Sequence, residues 1–222
     1  MKQYTVTLTG LTPLIMHNDN LAFSEKITAW QKDPSNKAYS VAGDDRSPAW
    51  TWLGYTYHDG KILGIPSDNL MTMLREGGAK MKKKGQETYK KQTQSGIMID
   101  RQQWDLAVGG KTIEIAPLFE ELIGNGTFIE HIEAAEARGF ELLVKRAAIK
   151  SAKHVRVRPL FRDWVATGTM TILDPEQSGL TLPVLKTIFA QAGSEVGLCD
   201  WRPSSSKSSG SFGKFSTTIK AV

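Results

Sequence analysis

An α+β fold is what the sequence predicts, and three features predict it. Residues 4–10 alternate β-branched and aromatic side chains with polar ones, the two-residue period of a strand. Leu70, Met73, Leu74 and Met81 recur near helical spacing, as do Val184, Leu185, Ile188 and Phe189, so 69–82 and 182–192 read as amphipathic helices. Strand-like runs at 164–173 and 215–222 stand on either side of the second helix.

In chain order, the first strand ends at Gly10 and an apolar run closes on His17-Asn-Asp-Asn20. Residues 21–57 hold Trp30, Trp50 and Trp52, two prolines and an acidic turn at Gly43-Asp-Asp-Arg46, and are expected to carry a short helix at 23–31. The tryptophans are expected to pack, since Trp is usually largely buried. Asp59-Gly60 between 55–57 and 61–65 predicts a hairpin. Ser67 or Asp68 is placed to cap the helix at 69–82. Short strands are expected at 97–100 and 112–115, and a loop with acidic residues Glu114, Glu120, Glu121, Glu130, Glu133 and Glu136 over 113–138. Residues 140–144 and 155–158 then bracket a basic arm. Without its insertions, at about 18–54, 101–139 and an arm at about 140–163, the order is β-α-β-β-α-β in one elaborated domain. This is the ferredoxin-like order, on which RNA-recognition domains are built.

With 222 residues, 40% hydrophobic and 23% charged, the chain is long enough to bury a core. Its net charge of +5 and pI near 9.2 lean towards a polyanionic partner. A single cysteine, Cys199, excludes an internal disulfide framework and a multi-cysteine metal site. No apolar run approaches the roughly 18 residues of a membrane span and no signal-peptide core opens the chain, so a cytoplasmic protein is expected.

Cations gather in three places. Lys82, Lys83 and Lys84, with Lys80, Lys90 and Lys91, follow the first long helix, where they suit either its dipole or a phosphate. The arm holds Lys145, Arg146, Lys150, Lys153, His154, Arg156 and Arg158. In an extended chain Arg156 and Arg158 share one face and Val155 and Val157 the other, so the arm is expected to turn its apolar side to the body and its cations outwards. The third place is 197–215, GLCDWRPSSSKSSGSFGKF. Its small residues with Lys207 and Lys214 suit a phosphate, Arg202 adds charge, and Trp201 and Phe212 are candidate stackers, with His154 a possible wedge. A flexible linker is the alternative for this stretch.

Two stretches resemble the RAMP superfamily of CRISPR-associated proteins. Gly64-Ile-Pro-Ser-Asp-Asn-Leu-Met-Thr-Met-Leu-Arg75 is similar to that family's "IPGSSLKGALR"-type strand-to-helix junction, with Asp68 where the family has glycine. Ser208-Ser-Gly-Ser-Phe-Gly-Lys-Phe215 is similar to its C-terminal G-x-G-(R/K)-(F/V) element. The resemblance implies a modified RNA-recognition fold that holds a guide RNA by its backbone. It implies as partners copies of itself in a filament, other effector subunits and a complementary target nucleic acid.

The histidines are scattered, and no P-loop, G-x-S-x-G or metal-ligand spacing is present, so no cofactor or metal is expected. Three functions remain open. The first is a non-enzymatic RNA-binding backbone subunit, with Lys82–Lys84, the arm cations, Trp201, Arg202, Lys207, Phe212 and Lys214 as its contacts. The second is an RNA-processing endonuclease that uses His17 as acid or base. Asp19, Asp44 and Asp45 could in principle support RNA cleavage, as a loop aspartate does in some resembling backbone subunits, but surface acids in turns are the commoner explanation. The third is an assembly protein without nucleic acid, whose basic arm docks on a neighbour's acidic 114–136 surface.

Overall fold

The computed structural model describes residues 1–149, 152–206 and 209–222 and leaves the side chains of 148, 149, 152 and 153 undescribed. Strand β1 (Lys2–Gly10) runs to β2 (Leu14–Ile15), then α1 (Leu21–Lys32), whose first turn is capped by the Asn20 side chain accepting the Phe23 N–H. Ala49–Tyr55 winds as a 3₁₀ helix that buries Trp50, Trp52 and Leu53. After it come β3 (Gly64–Pro66), α2 (Ser67–Lys80), β4 (Lys82–Lys84), β5 (Glu87–Thr88), α3 (Lys90–Gly96), β6 (Ile97–Ile99), β7 (Gln103–Val108) and β8 (Lys111–Thr112). The chain continues through α4 (Ile115–Leu122), α5 (Phe128–Glu136), β9 (Glu141–Ile149), β10 (Ala152–Phe161), β11 (Trp164–Ile172), α6 (Pro175–Ser178), α7 (Leu182–Gln191) and β12 (Phe215–Ala221).

The class is α+β with antiparallel sheets. The main sheet has seven strands, ordered β12-β1-β11-β7-β3, with β6 also on β11 and β8 on β7. Strand β1 is central because both of its edges are paired, to β11 and to β12. Its alternation sorts the faces: Tyr4, Val6 and Leu8 are buried, whereas Thr9 reaches water and Thr5 and Thr7 lie between. Leu70, Met73 and Leu74 of α2 and Leu185, Ile188 and Phe189 of α7 join the same buried cluster as Tyr4, Val6 and Leu8, so the helices cover one face. The other face is a threonine surface, in which Thr7, Thr167 and Thr218 stand side by side across three strands. Strands β9 and β10 pair along their length, and β2 joins β10 to make a second sheet.

Several local expectations are corrected. Helix α2 begins at Ser67 and has no side-chain cap, because Pro66 stands at the N-cap. Lys82, Lys83 and Lys84 lie past the helix on an exposed strand instead of in its last turn. The hairpin at Asp59-Gly60 shrinks to one bridge, His58 with Leu63, because β3 pairs with β7 and residues 49–55 are helical. The acidic 113–138 stretch forms two helices, α4 and α5, on either side of the expected turn at Gly124-Asn-Gly126. Helix α5 carries a capping box in which Thr127 and Glu130 satisfy each other's N–H groups, a Thr-x-x-Glu signal that the sequence displays. Strand β7 was not anticipated, although Trp104, Leu106 and Val108 alternate into the core.

A buried polar tie joins α5 to the 3₁₀ helix. Trp52 Nε1–H donates to His131 Nδ1 (3.0 Å), and His131 Nε2 lies 2.9 Å from the Asn125 carbonyl. Indole can only donate, so Nδ1 accepts, Nε2 carries the proton and the imidazole is neutral. Burial holds His131 below its ordinary pKa despite the Asn125 carbonyl, and burial moves His58 in the same direction. Below about pH 6.5 the unfolded chain therefore takes up protons that the folded chain refuses. Stability is complete above that value and falls as pH drops. The melting temperature is expected to fall between pH 7 and pH 5, and His131→Gln, which keeps an acceptor for Trp52, is expected to lose part of that fall. An equal pH response in the two proteins, measured by thermal denaturation, would refute the assignment.

Candidate functional site

Three stretches meet at the C-terminal end of β1. Beyond Gly10 the backbone of residues 11–15 leaves the main sheet, and its polar groups need other partners. Residues 197–214 supply them: Leu11 N–H donates to Lys214 O (2.8 Å), Gly213 N–H to Pro13 O (2.8 Å) and Asp200 N–H to Ile15 O (3.1 Å). On the other side, Leu14 and Ile15 pair with Phe161 and Leu160 of β10. The serine- and glycine-rich stretch is thus a folded strap, and the linker alternative fails for its described residues. Gly213 is buried with φ +70°, and a Cβ there would lie 2.2 Å from the Leu198 carbonyl oxygen. At Gly210 a Cβ would lie 1.7 Å from the Trp201 carbonyl oxygen.

Arg156 and Arg158 of the arm do not face outwards as expected, whereas Lys145 and Arg146 are exposed. Arg156 Nη1 lies 2.8 Å from Oδ1 of the buried Asp45, whose Oδ2 accepts the Val157 N–H (3.0 Å). Asp45 N–H in turn donates to Val155 O (3.0 Å), so residues 43–45 run beside β10. Arg158 Nε lies 3.0 Å from Asp200 Oδ2, an ion pair without straight hydrogen-bond geometry, and its Nη2 is 3.2 Å from His17 Nδ1. Arg202 joins the pattern, 3.2 Å from Glu76 of α2, with further bonds to Cys199 O and Ser204 Oγ. A guanidinium that leaves water needs a carboxylate, and each of the three finds one on a distant stretch of chain. These arginines tie the arm, the strap and α2 together.

The aromatic residues are likewise engaged. Trp201 and Phe212 stack on each other, centroids 6.1 Å apart at 14°. Lys145 Nζ and Arg158 Cζ lie 4.8 and 5.7 Å from the Trp201 ring centre. Trp201 and Cys199 both adopt positive φ, +54° and +59°, uncommon for residues with side chains. His154 closes against Gly43, where a Cβ would lie 1.9 Å from its Nδ1, so its ring packs against the 43–45 segment beside β10. Lys145, Arg146, Lys82, Lys83 and Lys84 are exposed and Lys214 is half-buried. Lys83 lies 3.8 Å from Glu87, whereas Lys145 and Arg146 have no carboxylate within 4.0 Å among the described residues. Lys150 and Lys207, and the side chain of Lys153, lie outside the described residues.

His17 stands at the junction with its side chain 39% exposed, its Nδ1 3.7 Å from Asp200 Oδ2 and its ring edge-on to Tyr55 at 4.6 Å. Burial works to raise the Asp200 pKa, but the His17 contact and the Arg158 charge outweigh it and hold the carboxyl below its ordinary value. Burial pushes Tyr55, Tyr57 and Cys199 up to about 12, so two neutral phenols and an inert thiol back the site. Asp44 is paired with Arg46, as a surface acid in a turn is, whereas Asp45 is buried in structural bonds to Arg156 and Val157 instead of standing on the surface. Asp19 is exposed. The partner acids Asp200 and Glu76 were not anticipated from the sequence, because 42 and 126 residues separate them from their arginines and no local pattern marks the pairing. Among the described residues no group of three or more His, Cys, Asp or Glu side chains could hold a metal ion, and no helix is long and apolar enough to cross a membrane.

Compared with protein-family models and with curated proteins, the sequence matches none.

The strap makes a direct prediction. Gly213→Val forces a β-branched residue into a left-handed, occupied position and should cost roughly 1–3 kcal/mol. Ser205→Val, on the same strap, should stay within about 0.5 kcal/mol of wild type. Urea denaturation followed by circular dichroism compares them, and equal stabilities would mean that the strap does not hold the Gly213 geometry.

Proposed function

We propose that the chain binds single-stranded RNA by its backbone, on the surface where the arm, the strap and the His17 segment converge. That convergence carries the reading. Lys145 and Arg146 stand exposed on β9, and Lys145 rests over Trp201 of the strap. Exposed cations beside aromatic rings suit a phosphate chain with bases lying against it. The topology agrees: the core strands β1, β7, β11 and β12 lie in the sheet as fourth, first, third, second, which supports a ferredoxin-like core within the modified RNA-recognition fold. The threonine face supplies no aromatic platform in Thr5, Thr7, Thr167, Thr169 or Thr218, so the strand is assigned to the end of the sheet and not to its face.

The similarity of 64–75 and 208–215 to RAMP proteins extends the proposal to a guide-RNA-coating backbone subunit of a multi-subunit effector. Lys82, Lys83 and Lys84 form a second exposed cationic strand on which RNA can continue. The exposed acids Glu114, Glu120, Glu133 and Glu136 on and around α4 and α5 offer a docking surface for the basic arm of a second copy.

Arg156 and Arg158 are structural, so a test of phosphate binding belongs on Lys145 and Arg146. Lys145→Ala with Arg146→Ala should lower the slope of log K against log salt by roughly 1.4 for single-stranded RNA, about 0.7 per contact. Fluorescence anisotropy across a salt series measures it, and an unchanged slope in the folded double variant removes the arm from the interface.

The second reading, an RNA-processing endonuclease, is favoured by one observation: His17 is exposed at the junction and its Nδ1 accepts from Arg158 Nη2 (3.2 Å), which leaves the ring proton on Nε2. A histidine can move a proton as general acid or base, and an adjacent guanidinium can neutralise charge on a phosphate. On this reading RNA incubated with the protein is cleaved and His17→Ala abolishes cleavage while binding persists. Intact RNA with wild-type protein, or equal cleavage by the variant, excludes it.

A further inference from the structure

A cavity beside the His17 segment is used by neither reading. Its volume is about 210 Å³ and its walls include Asn18, Tyr57, His58, Asp59, Gln102 and Gln103. Asn18 follows His17, and the Tyr57 hydroxyl donates to the His17 carbonyl (2.9 Å), so one wall of the cavity is tied to the His17 segment. The junction at 64–67 forms another side: Ser67 N–H donates to Gln102 O (2.8 Å). A Cβ at Gly64 would lie 2.4 Å from the Gln103 amide carbon, so glycine there leaves the amide its place.

The hydrogen bonds already made determine which groups remain open. Asn18 Nδ2 donates to Thr56 O (3.2 Å), leaving its Oδ1 as an acceptor. Gln103 is only 5% exposed and its Nε2 donates to Ile62 O (3.2 Å), while its Oε1 receives no hydrogen bond from the described residues. Asp59 Oδ1 accepts the N–H groups of Ile62 and Lys61 (3.0 and 2.9 Å), which leaves Oδ2 open and holds the carboxyl below its ordinary pKa. His58 Nδ1 accepts the Gly60 N–H (3.1 Å), so its neutral ring carries the proton on Nε2. Burial keeps that ring below its ordinary pKa. The lining thus presents three open acceptors, one of them an anion, and one ring N–H donor, with the Gln102 amide able to serve as either.

The base edges differ in what they ask of such a lining. Uracil presents acceptor, donor, acceptor; cytosine one donor and two acceptors; adenine one donor and one acceptor. Guanine alone presents two adjacent donors, N1–H and N2–H₂, beside one acceptor, O6. An acceptor-rich lining with a carboxylate and a single ring donor complements that edge, and the Tyr57 ring adds a flat wall. We infer that this cavity takes one unstacked guanine from an RNA strand passing His17, an inference that rests on the RNA-binding reading.

The test uses the full chain and oligouridine of fixed length carrying one central G, A, C or U, titrated into wild type, Asp59→Asn and Gln102→Ala. Asp59→Asn keeps an oxygen for the Lys61 and Ile62 N–H groups and removes the anion. The G oligomer is expected to bind wild type about tenfold more tightly than the others. Asp59→Asn should erase that preference and leave all-U affinity unchanged, and Gln102→Ala should reduce it. Equal affinities for the four oligomers, or a preference that survives Asp59→Asn, overturns the guanine site while leaving RNA binding intact. If wild type binds none of the oligomers, the RNA reading itself falls. Guanosine monophosphate then judges the cavity alone: saturable binding lost in Asp59→Asn retains a free-nucleotide guanine site, and no binding removes it.

Discussion

The backbone of residues 11–15 sets the terms for everything around it. It leaves the main sheet at Gly10, yet Leu14, Ile15 and Met16 are fully buried, so its N–H and C=O groups cannot turn to water. Leu11, Pro13 and Ile15 are satisfied by Lys214, Gly213 and Asp200, and Leu14 and Ile15 also pair with β10. Losing these bonds would strand buried polar groups, each worth about 1–3 kcal/mol. One short segment therefore brings the C-terminal strap and the arm to the end of β1, and carries His17 between them.

Charge follows the same logic. A basic stripe read from sequence is a sum over side chains, but a guanidinium near the protein body must be paired before it can be buried. Arg156, Arg158 and Arg202 are paired with Asp45, Asp200 and Glu76, which ties the arm and strap to the body and fixes the planes of the arginines. Of the basic clusters, Lys145 and Arg146 on β9 and Lys82 and Lys84 on β4 stay exposed with no carboxylate within 4.0 Å among the described residues. The Asp200 carboxylate does double work, since it faces both Arg158 and His17. Any proton transfer at His17 would therefore be coupled to the ion pair that holds the arm in place.

The cavity lined by Asn18 and Tyr57 lies beside the His17 segment, to whose carbonyl the Tyr57 hydroxyl donates. Past His17 stand cations and aromatic rings, groups that hold phosphate and base without regard to sequence where they bind RNA. The cavity lining itself is of amides and a carboxylate. On the proposed RNA-binding reading, the two placed next to each other would let a strand be held along its backbone and sampled at one position.

How much of this was legible depends on range. The α+β class, β1, β11, β12, both long helices and the paired basic arm follow from the sequence, because two-residue and 3.6-residue periods are local consequences of backbone geometry. The folded strap was also foreshadowed, since a plain linker has no need of the aromatic and cationic residues at its ends. Helix α5 was missed although Thr127 and Glu130 display its capping box, while β7 needed a core to declare itself. The direction of the arginines was not legible. Alternation put Arg156 and Arg158 on one face, but which way that face turns depends on Asp45 and Asp200, brought there by β2–β10 pairing and by the strap. Nor could spacing show that Trp201 is stacked on Phe212 or that Asn18, Asp59 and Gln103 line one cavity. The sequence by itself determined the elements and the stock of charges and rings. Tertiary structure alone decided which of them are spent on one another and which remain for a ligand, because that choice is made by burial and by partners far away in the chain.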